Sequence, residues 1–149
     1  MKKTIWAIVL CSAVSGFAAG KQLLNLDASG LAMQGYDPVA FFTQHKPVKG
    51  LAQFRSAYKG AKYLFASADD KALFDKAPSK YEPQFGGYCA YGVSRGNRAP
   101  IKIEAWQIAN DRLLMQYDLD IKDAFNQDQQ GTLKKADQNW PSLVDQYGK

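Results

Sequence analysis

The sequence predicts a small α+β fold with two β-hairpins, short helices and a helical C-terminal segment. Two stretches carry the alternation and the turn residues of hairpins, and apolar residues at helical spacing follow each of them. Strands and helices do not alternate as they do in βαβ units, which favours the α+β class. The length suits one domain with its own hydrophobic core.

The N-terminus has the pattern of a secretory signal peptide. Two lysines precede an apolar run over residues 5–14, and small residues then lead to Gly20. The run is too short for a good membrane span. We therefore expect cleavage after Gly20, no membrane span in the remaining chain, and a periplasmic or secreted location.

Cleavage would leave a mildly basic chain with one cysteine. The whole chain has a formal net charge of +5, and the loss of the two leader lysines leaves +3. This charge is too diffuse to indicate a nucleic-acid partner. Cys11 leaves with the leader, so Cys89 remains alone and no internal disulfide is possible. In an oxidising compartment this thiol must be buried, metal-bound, modified or joined to another chain.

A helix start and a β-hairpin are predicted in the first half of the chain. Aspartate followed by proline, at positions 37 and 38, is typical of a helix N-terminus, because aspartate caps free N–H groups and proline tolerates the first helical position. A hairpin follows over residues 53–67, with Lys59-Gly60 at its turn. The loop between them carries His45, the only histidine in the chain.

A second helix is predicted directly after this hairpin. Ser67 and Asp70 are spaced as in a capping box, with aspartate in place of the usual glutamate. The helix would extend over residues 67–78 and end at a proline. Leu73 and Phe74 are expected to form its apolar stripe.

A short helix, a second hairpin and C-terminal helices complete the expected order. Two glycines permit a tight entry into a short helix over residues 88–94, which contains Cys89. The second hairpin covers residues 104–117. Apolar residues at helical spacing continue from residue 121 to residue 140, just before Pro141.

Cys89 is the main candidate for chemistry, and two interpretations stay open. In the first turn of a helix, backbone N–H groups and the helix dipole would favour the thiolate and lower the pKa of the thiol. Buried among aromatic residues, the same side chain would be a small core residue with a raised pKa and no reactivity.

The other candidates depend on what the fold brings together. Cysteine-based catalysis would need His45 as a general base, yet nothing near this histidine in the sequence would orient its ring. A copper(I) site would use soft ligands, namely Cys89, Met33 and Met115 with His45 in addition, but no local spacing supports it. A hydrolase or transferase is less favoured, because the sequence has no Ser-His-Asp set and no phosphate-binding loop.

Basic residues are concentrated in the loop that follows the Cys89 helix. Arg95, Arg98 and Lys102 lie in one segment that contains glycine and proline. Such a group is usually a solvated surface. The alternative is a contact for an anion or an acidic partner, formed by Arg95 and Arg98.

Several segments in this order resemble the exported YHS-domain proteins. They are GYDPVAFF, then YKGAKYLFASADDKALFDKAPSKYEPQFGGYCAYGVS, then KKADQNWP. The resemblance implies a small module of a β-hairpin and a helix that is associated with the handling of heavy metals, copper especially. It covers roughly residues 35–141.

The sequence departs from the metal-binding members of that family at each expected ligand. Those members place one cysteine in a DPVC-like segment and two more around the second hairpin strand and the start of its helix. Here Ala40, Ala66 and Asp70 stand at those positions. Methyl groups coordinate nothing, and one carboxylate is a poor substitute for thiolates. The resemblance therefore implies the fold, and the family's metal site does not transfer.

These observations define a division of the chain and a function. We expect a signal peptide at 1–20, an N-terminal lead at 21–34, a YHS-like domain at 35–141 and a C-terminal tail at 142–149. The predicted function is a non-enzymatic module for copper or another soft metal ion. The alternative is a redox or protein-interaction module that uses the thiol. Another periplasmic protein or a metal ion would be its partner. The ligands we name for the metal are Cys89, His45 and Met115.

Overall fold

The computed structural model describes residues 20–149, so the predicted signal peptide lies outside the described residues except for Gly20. Two separate antiparallel hairpins and a series of helices confirm the α+β class. The strands are β1 (Leu51–Tyr58), β2 (Ala61–Phe65), β3 (Trp106–Ala109) and β4 (Arg112–Met115). The helices are α1 (Ala40–Thr43), α2 (Ala68–Lys76), α3 (Pro78–Tyr81), α4 (Ala90–Ser94), α5 (Leu119–Asn126) and α6 (Gln129–Tyr147).

The first hairpin forms where the sequence predicts it. Lys59 and Gly60 both have positive φ, at 51° and 87°, which is the backbone geometry of a two-residue hairpin turn. The register shifts between Leu51 and Arg55, so β1 bulges away from β2 near its start. Along β2 every second side chain is buried, and these residues are Ala61, Tyr63 and Phe65.

Helix α2 begins as predicted and packs on this hairpin through a single aromatic residue. The Ser67 hydroxyl accepts a hydrogen bond from the backbone N–H of Asp70 at 3.1 Å, which caps the helix. Phe74 is 1% exposed, and its ring lies 4.8–5.9 Å from those of Tyr58, Tyr63 and Phe65. The prediction that Leu73 shares this apolar stripe is wrong, because its side chain is 40% exposed.

The second hairpin separates two hydrophobic cores. Residues of β4 alternate between them, since successive side chains of a strand point to opposite faces. Leu113 and Met115 belong to the first core, together with the first hairpin and α2. Leu114 belongs to the second core, together with α4, α5 and α6. The strand β4 is therefore buried on both faces.

The C-terminal helices extend further than the sequence indicates. Helix α6 passes through Pro141 and ends at Tyr147. The segment 142–149, described above as a tail, thus continues the helix and buries Leu143 in the second core. Packing of α6 against α4 and burial of Leu143 outweigh the hydrogen bond that proline removes. Among the described residues, no helix is long and apolar enough to cross a membrane.

The N-terminal lead is packed against the rest of the fold. Gln22 and Lys149 exchange two backbone hydrogen bonds of 2.9 and 3.0 Å. Leu23 is buried in the second core. The backbone N–H of Asn25 donates to the carbonyl of Gly86 at 2.8 Å. The glycine-rich turn before Cys89 is therefore a docking point for the lead.

Replacement of Gly86 by alanine should be strongly destabilising. A Cβ atom at this position would lie 1.9 Å from the carbonyl oxygen of Leu23, and the residue has a φ of 59°. We expect a loss of about 3 kcal/mol or more in the free energy of unfolding, measured in urea. Gly60→Ala is the matched control. Gly60 also has a positive φ, but nothing lies within 4 Å of its Cβ position, so only the backbone cost of about 1–2 kcal/mol is expected. Equal losses would contradict the close approach of the lead.

Candidate functional site

Cys89 lies at the start of α4, one residue before the helix and not in its first turn as predicted. It is the N-cap residue, and its Sγ accepts a hydrogen bond from the backbone N–H of Gly92 at 3.4 Å. The side chain is 1% exposed. The thiol thus takes the position that serine or threonine usually occupies at a helix start.

A buried glutamine contacts the same sulfur. Gln116 is fully buried, and its Oε1 accepts hydrogen bonds from the Cys89 thiol at 3.4 Å and from the backbone N–H of Tyr91 at 3.0 Å. Its Nε2 has no hydrogen-bond partner among residues 20–149. An unpaired buried amide lowers the free energy of unfolding by about 1–3 kcal/mol. The surrounding packing must therefore hold Cys89 and Gln116 in place.

Burial decides the protonation state of the thiol. Removal from solvent raises the pKa of Cys89, and the backbone N–H groups of Gly92, Tyr117 and Tyr91 oppose this effect only in part. The pKa of the thiol therefore lies above its ordinary value, and the group is protonated at neutral pH. This favours the second of the two interpretations that the sequence left open for the resting protein.

The fold brings two of the proposed soft ligands side by side. Cys89 and Met115 pair across a parallel β-bridge, and both belong to the first core. His45 lies on the exposed loop after α1 and belongs to neither core. Met33 is buried in the same first core but is not a member of this bridge. Within residues 20–149 no three His, Cys, Asp or Glu side chains form a group that could hold a metal ion.

The two arginines of the basic loop have different surroundings. Arg95 stacks over Tyr91 and donates from Nη2 to the hydroxyl of that residue at 3.1 Å. Arg98 stacks over Tyr147, with its guanidinium carbon 3.7 Å from the ring centroid. Each arginine lines a separate cleft.

A pair of carboxyl groups joins α1, β2 and α2. Asp37 is fully buried, and its Oδ1 accepts from the backbone N–H groups of Val39 and Ala40 at 2.8 and 3.3 Å. Its Oδ2 accepts from the N–H of Ala66 at 2.8 Å. Asp70 is 9% exposed. Burial, and next a hydrogen bond to Asp37, raise the pKa of Asp70 to about 6.

Asp70 stands at one of the positions where the resemblance places a thiolate ligand, and the pair that it forms with Asp37 does not fit a metal ion. Both oxygens of Asp37 already accept backbone hydrogen bonds from residues that include Ala40 and Ala66. Asp70 contacts Asp37, and its raised pKa marks a site that favours a proton. Backbone N–H groups hold Asp37 in this junction, and the raised pKa of Asp70 favours a protonated carboxyl group beside it.

The described chain is a small α+β protein that contains a hairpin-plus-helix unit with a carboxyl pair at its centre and a second, largely helical half. The family model of the YHS domain matches residues 39–84, so this part of the chain is a YHS domain. The matched part covers α1, the first hairpin, α2 and α3. No curated protein and no solved structure shows a significant match.

Three residues of these sites were not recognised as site residues from the sequence. The sequence explains Asp37 and Asp70 locally as helix-start residues, and this explanation gives no sign that the two carboxyl groups meet. No sequence pattern marks Gln116. The one signal in the sequence is that Asp70 coincides with a ligand position of the family.

Asp70→Asn should change how stability depends on pH. Because the pKa of Asp70 is raised from 3.8 to about 6, its protonated form stabilises the fold below pH 3.8, and this contribution is lost as the pH rises towards 6. The asparagine amide can donate to Asp37 without a charge. We expect the variant to lose this pH dependence and to be about 1–2 kcal/mol more stable at pH 7, in urea unfolding. The exposed neighbour provides the control. Asp69 contributes least among the causes that raise the pKa of Asp70, so Asp69→Asn should alter the profile only slightly. A pH profile of Asp70→Asn identical to that of the wild type would rule out the raised pKa of Asp70.

Proposed function

We propose that this YHS-domain protein is a non-enzymatic module that binds a soft metal ion, copper(I) in particular, through Cys89 and Met115. The observation that carries the proposal is the β-bridge that pairs these two sulfur-bearing residues. Both residues are also buried in the first core, so the bridge places the two sulfur-bearing side chains in one packed cluster. The YHS domain in the same chain is compatible with metal handling.

The chemistry of the two donors favours copper(I) over harder ions. Thiolate and thioether sulfur are soft ligands, which select copper(I) rather than magnesium or calcium. Cys89 would bind as a thiolate, so each binding event releases one proton. Because burial raises the pKa of this thiol, affinity should depend strongly on pH. His45 is a further ligand only after a rearrangement of its exposed loop, so we assign it no part in the first binding step.

Access to the sulfur requires a local opening. Cys89 is 1% exposed and is held by one weak cap contact and by Gln116. Helix α4 has five residues, and short helices have little stability of their own. Opening of this turn would expose the thiol while the strands of the second hairpin keep Met115 in position.

We further propose that the module acts after export, in the periplasm or outside the cell, and exchanges the metal ion with another protein there. The leader-like pattern of residues 1–20 supports this location. A mature N-terminus at Lys21, measured by mass spectrometry of protein from the periplasm, is the expected result. Intact protein in the cytoplasm would contradict it.

Copper(I) binding tests the sulfur pair directly. After dialysis of the reduced chain against copper(I), metal analysis should find about one ion per chain. Cys89→Ser and Met115→Leu should each lose most of it, because each removes one of the two sulfur donors. Below the thiol pKa, the apparent affinity of the wild type should rise about tenfold per pH unit.

Met33→Leu is the matched control, since it removes another buried methionine from the same core. It should retain the ion at the wild-type level. Equal and negligible copper in the wild type and in Cys89→Ser would contradict the proposal. Loss of binding in Met33→Leu to the same degree as in Met115→Leu would do so as well.

Thiol labelling distinguishes this proposal from a redox or interaction function of Cys89. A redox thiol should be exposed and have a lowered pKa, whereas this one is buried and its pKa is raised. We expect an aromatic disulfide reagent to react slowly with the native chain, and at least about a hundredfold faster in urea. Fast labelling of the native chain would favour the thiol-dependent function instead.

A further inference from the structure

A cleft lies between the N-terminal lead, the turn of the first hairpin and the end of α6. Its volume is about 730 Å³, within the range of about 300–1,000 Å³ that is common for small-molecule sites. It contains none of the residues proposed to bind metal. The residues that form its apolar wall and its polar rim are Leu23, Leu24, Leu26, Tyr88, Arg98 and Tyr147.

One wall of the cleft is apolar and held in place. Leu23 is buried, and Leu24 and Leu26 are partly buried and pack against the first core. The hydroxyl of Tyr88 donates to the carbonyl of Leu24 at 3.3 Å. The two backbone hydrogen bonds between Gln22 and Lys149 fix the start of the lead. A ligand would therefore meet an ordered hydrocarbon surface.

The rim of the cleft carries an uncompensated positive charge at Arg98. No ion pair among residues 20–149 includes this arginine, and its guanidinium is oriented by stacking on Tyr147. Lys59 also lines the cleft, but it is paired with Glu82 at 2.9 Å. Lys149 also lines the cleft, where its backbone is hydrogen-bonded to that of Gln22. None of the described side chains that line the cleft is acidic.

We propose that this cleft binds a small organic anion with an apolar body, of the class of medium-chain carboxylates. A planar guanidinium matches a carboxylate with two parallel hydrogen bonds, and stacking already holds Arg98 in position for them. The three leucines offer an apolar surface for the carbon chain. An inorganic anion would leave the apolar surface of the leucines exposed to water. A cation would be repelled by the positive charge of Arg98.

Calorimetric titration of the full chain with sodium octanoate tests the site. We expect saturable binding with a heat-capacity decrease, since apolar surface is buried. Acetate carries the same charge without the chain, and octylammonium carries the chain with the opposite charge. Both should bind at least about tenfold more weakly than octanoate. Equal binding of octylammonium would overturn the role of charge, and equal binding of acetate would overturn the role of the apolar wall.

Two arginine variants locate the charge. Arg98→Gln should weaken octanoate binding by at least about tenfold. Arg95→Gln is its matched control, because Arg95 also stacks on a tyrosine in the same loop but lines the separate cleft. It should bind octanoate as tightly as the wild type. Thermal unfolding of both variants confirms that they fold. No octanoate binding by the wild type, or equal binding by Arg98→Gln, would overturn the proposal.

Discussion

The strand β4 is the constraint on which the rest of the structure depends. It is buried on both faces, so its side chains pack into two hydrophobic cores, one on each face. Leu113 and Met115 serve one core and Leu114 serves the other, which fixes the register of the second hairpin. Cys89 is set beside Met115 by that register. Gln116, the next residue, is fully buried and accepts a hydrogen bond from the thiol, although its amide nitrogen has no hydrogen-bond partner among residues 20–149.

The matched family unit and the candidate sulfur site lie in different parts of the chain. Residues 39–84 form the hairpin-plus-helix unit, whereas Cys89 and Met115 come from the second half. The YHS domain contributes the first core against which both sulfur-bearing residues pack. A function of these residues would therefore belong to the whole chain rather than to the family unit alone.

Local signals in the sequence account for the hairpins, their turns and the cap of α2. Lys59-Gly60 and the Ser67 cap are examples, because each depends on residues that are adjacent in the chain. The exposure of Leu73 depends on which face of α2 packs against the first hairpin. The continuation of α6 through Pro141 depends on how that helix packs against α4. The pairing of Cys89 with Met115, and of Asp37 with Asp70, joins segments far apart in the chain. Local spacing in the sequence does not predict such contacts. Only the family resemblance marks Asp70 as a candidate position.

The carboxyl pair changes what the hairpin-plus-helix unit requires in order to stay folded. Where thiolates coordinate a structural metal ion, removal of the ion destabilises the fold around it. Here Asp37 ties α1 to the end of β2 through hydrogen bonds from backbone N–H groups. A chelating agent should therefore leave this unit intact. Under the proposed metal-binding function, this unit would therefore stay folded and resistant to proteases before any metal ion is bound.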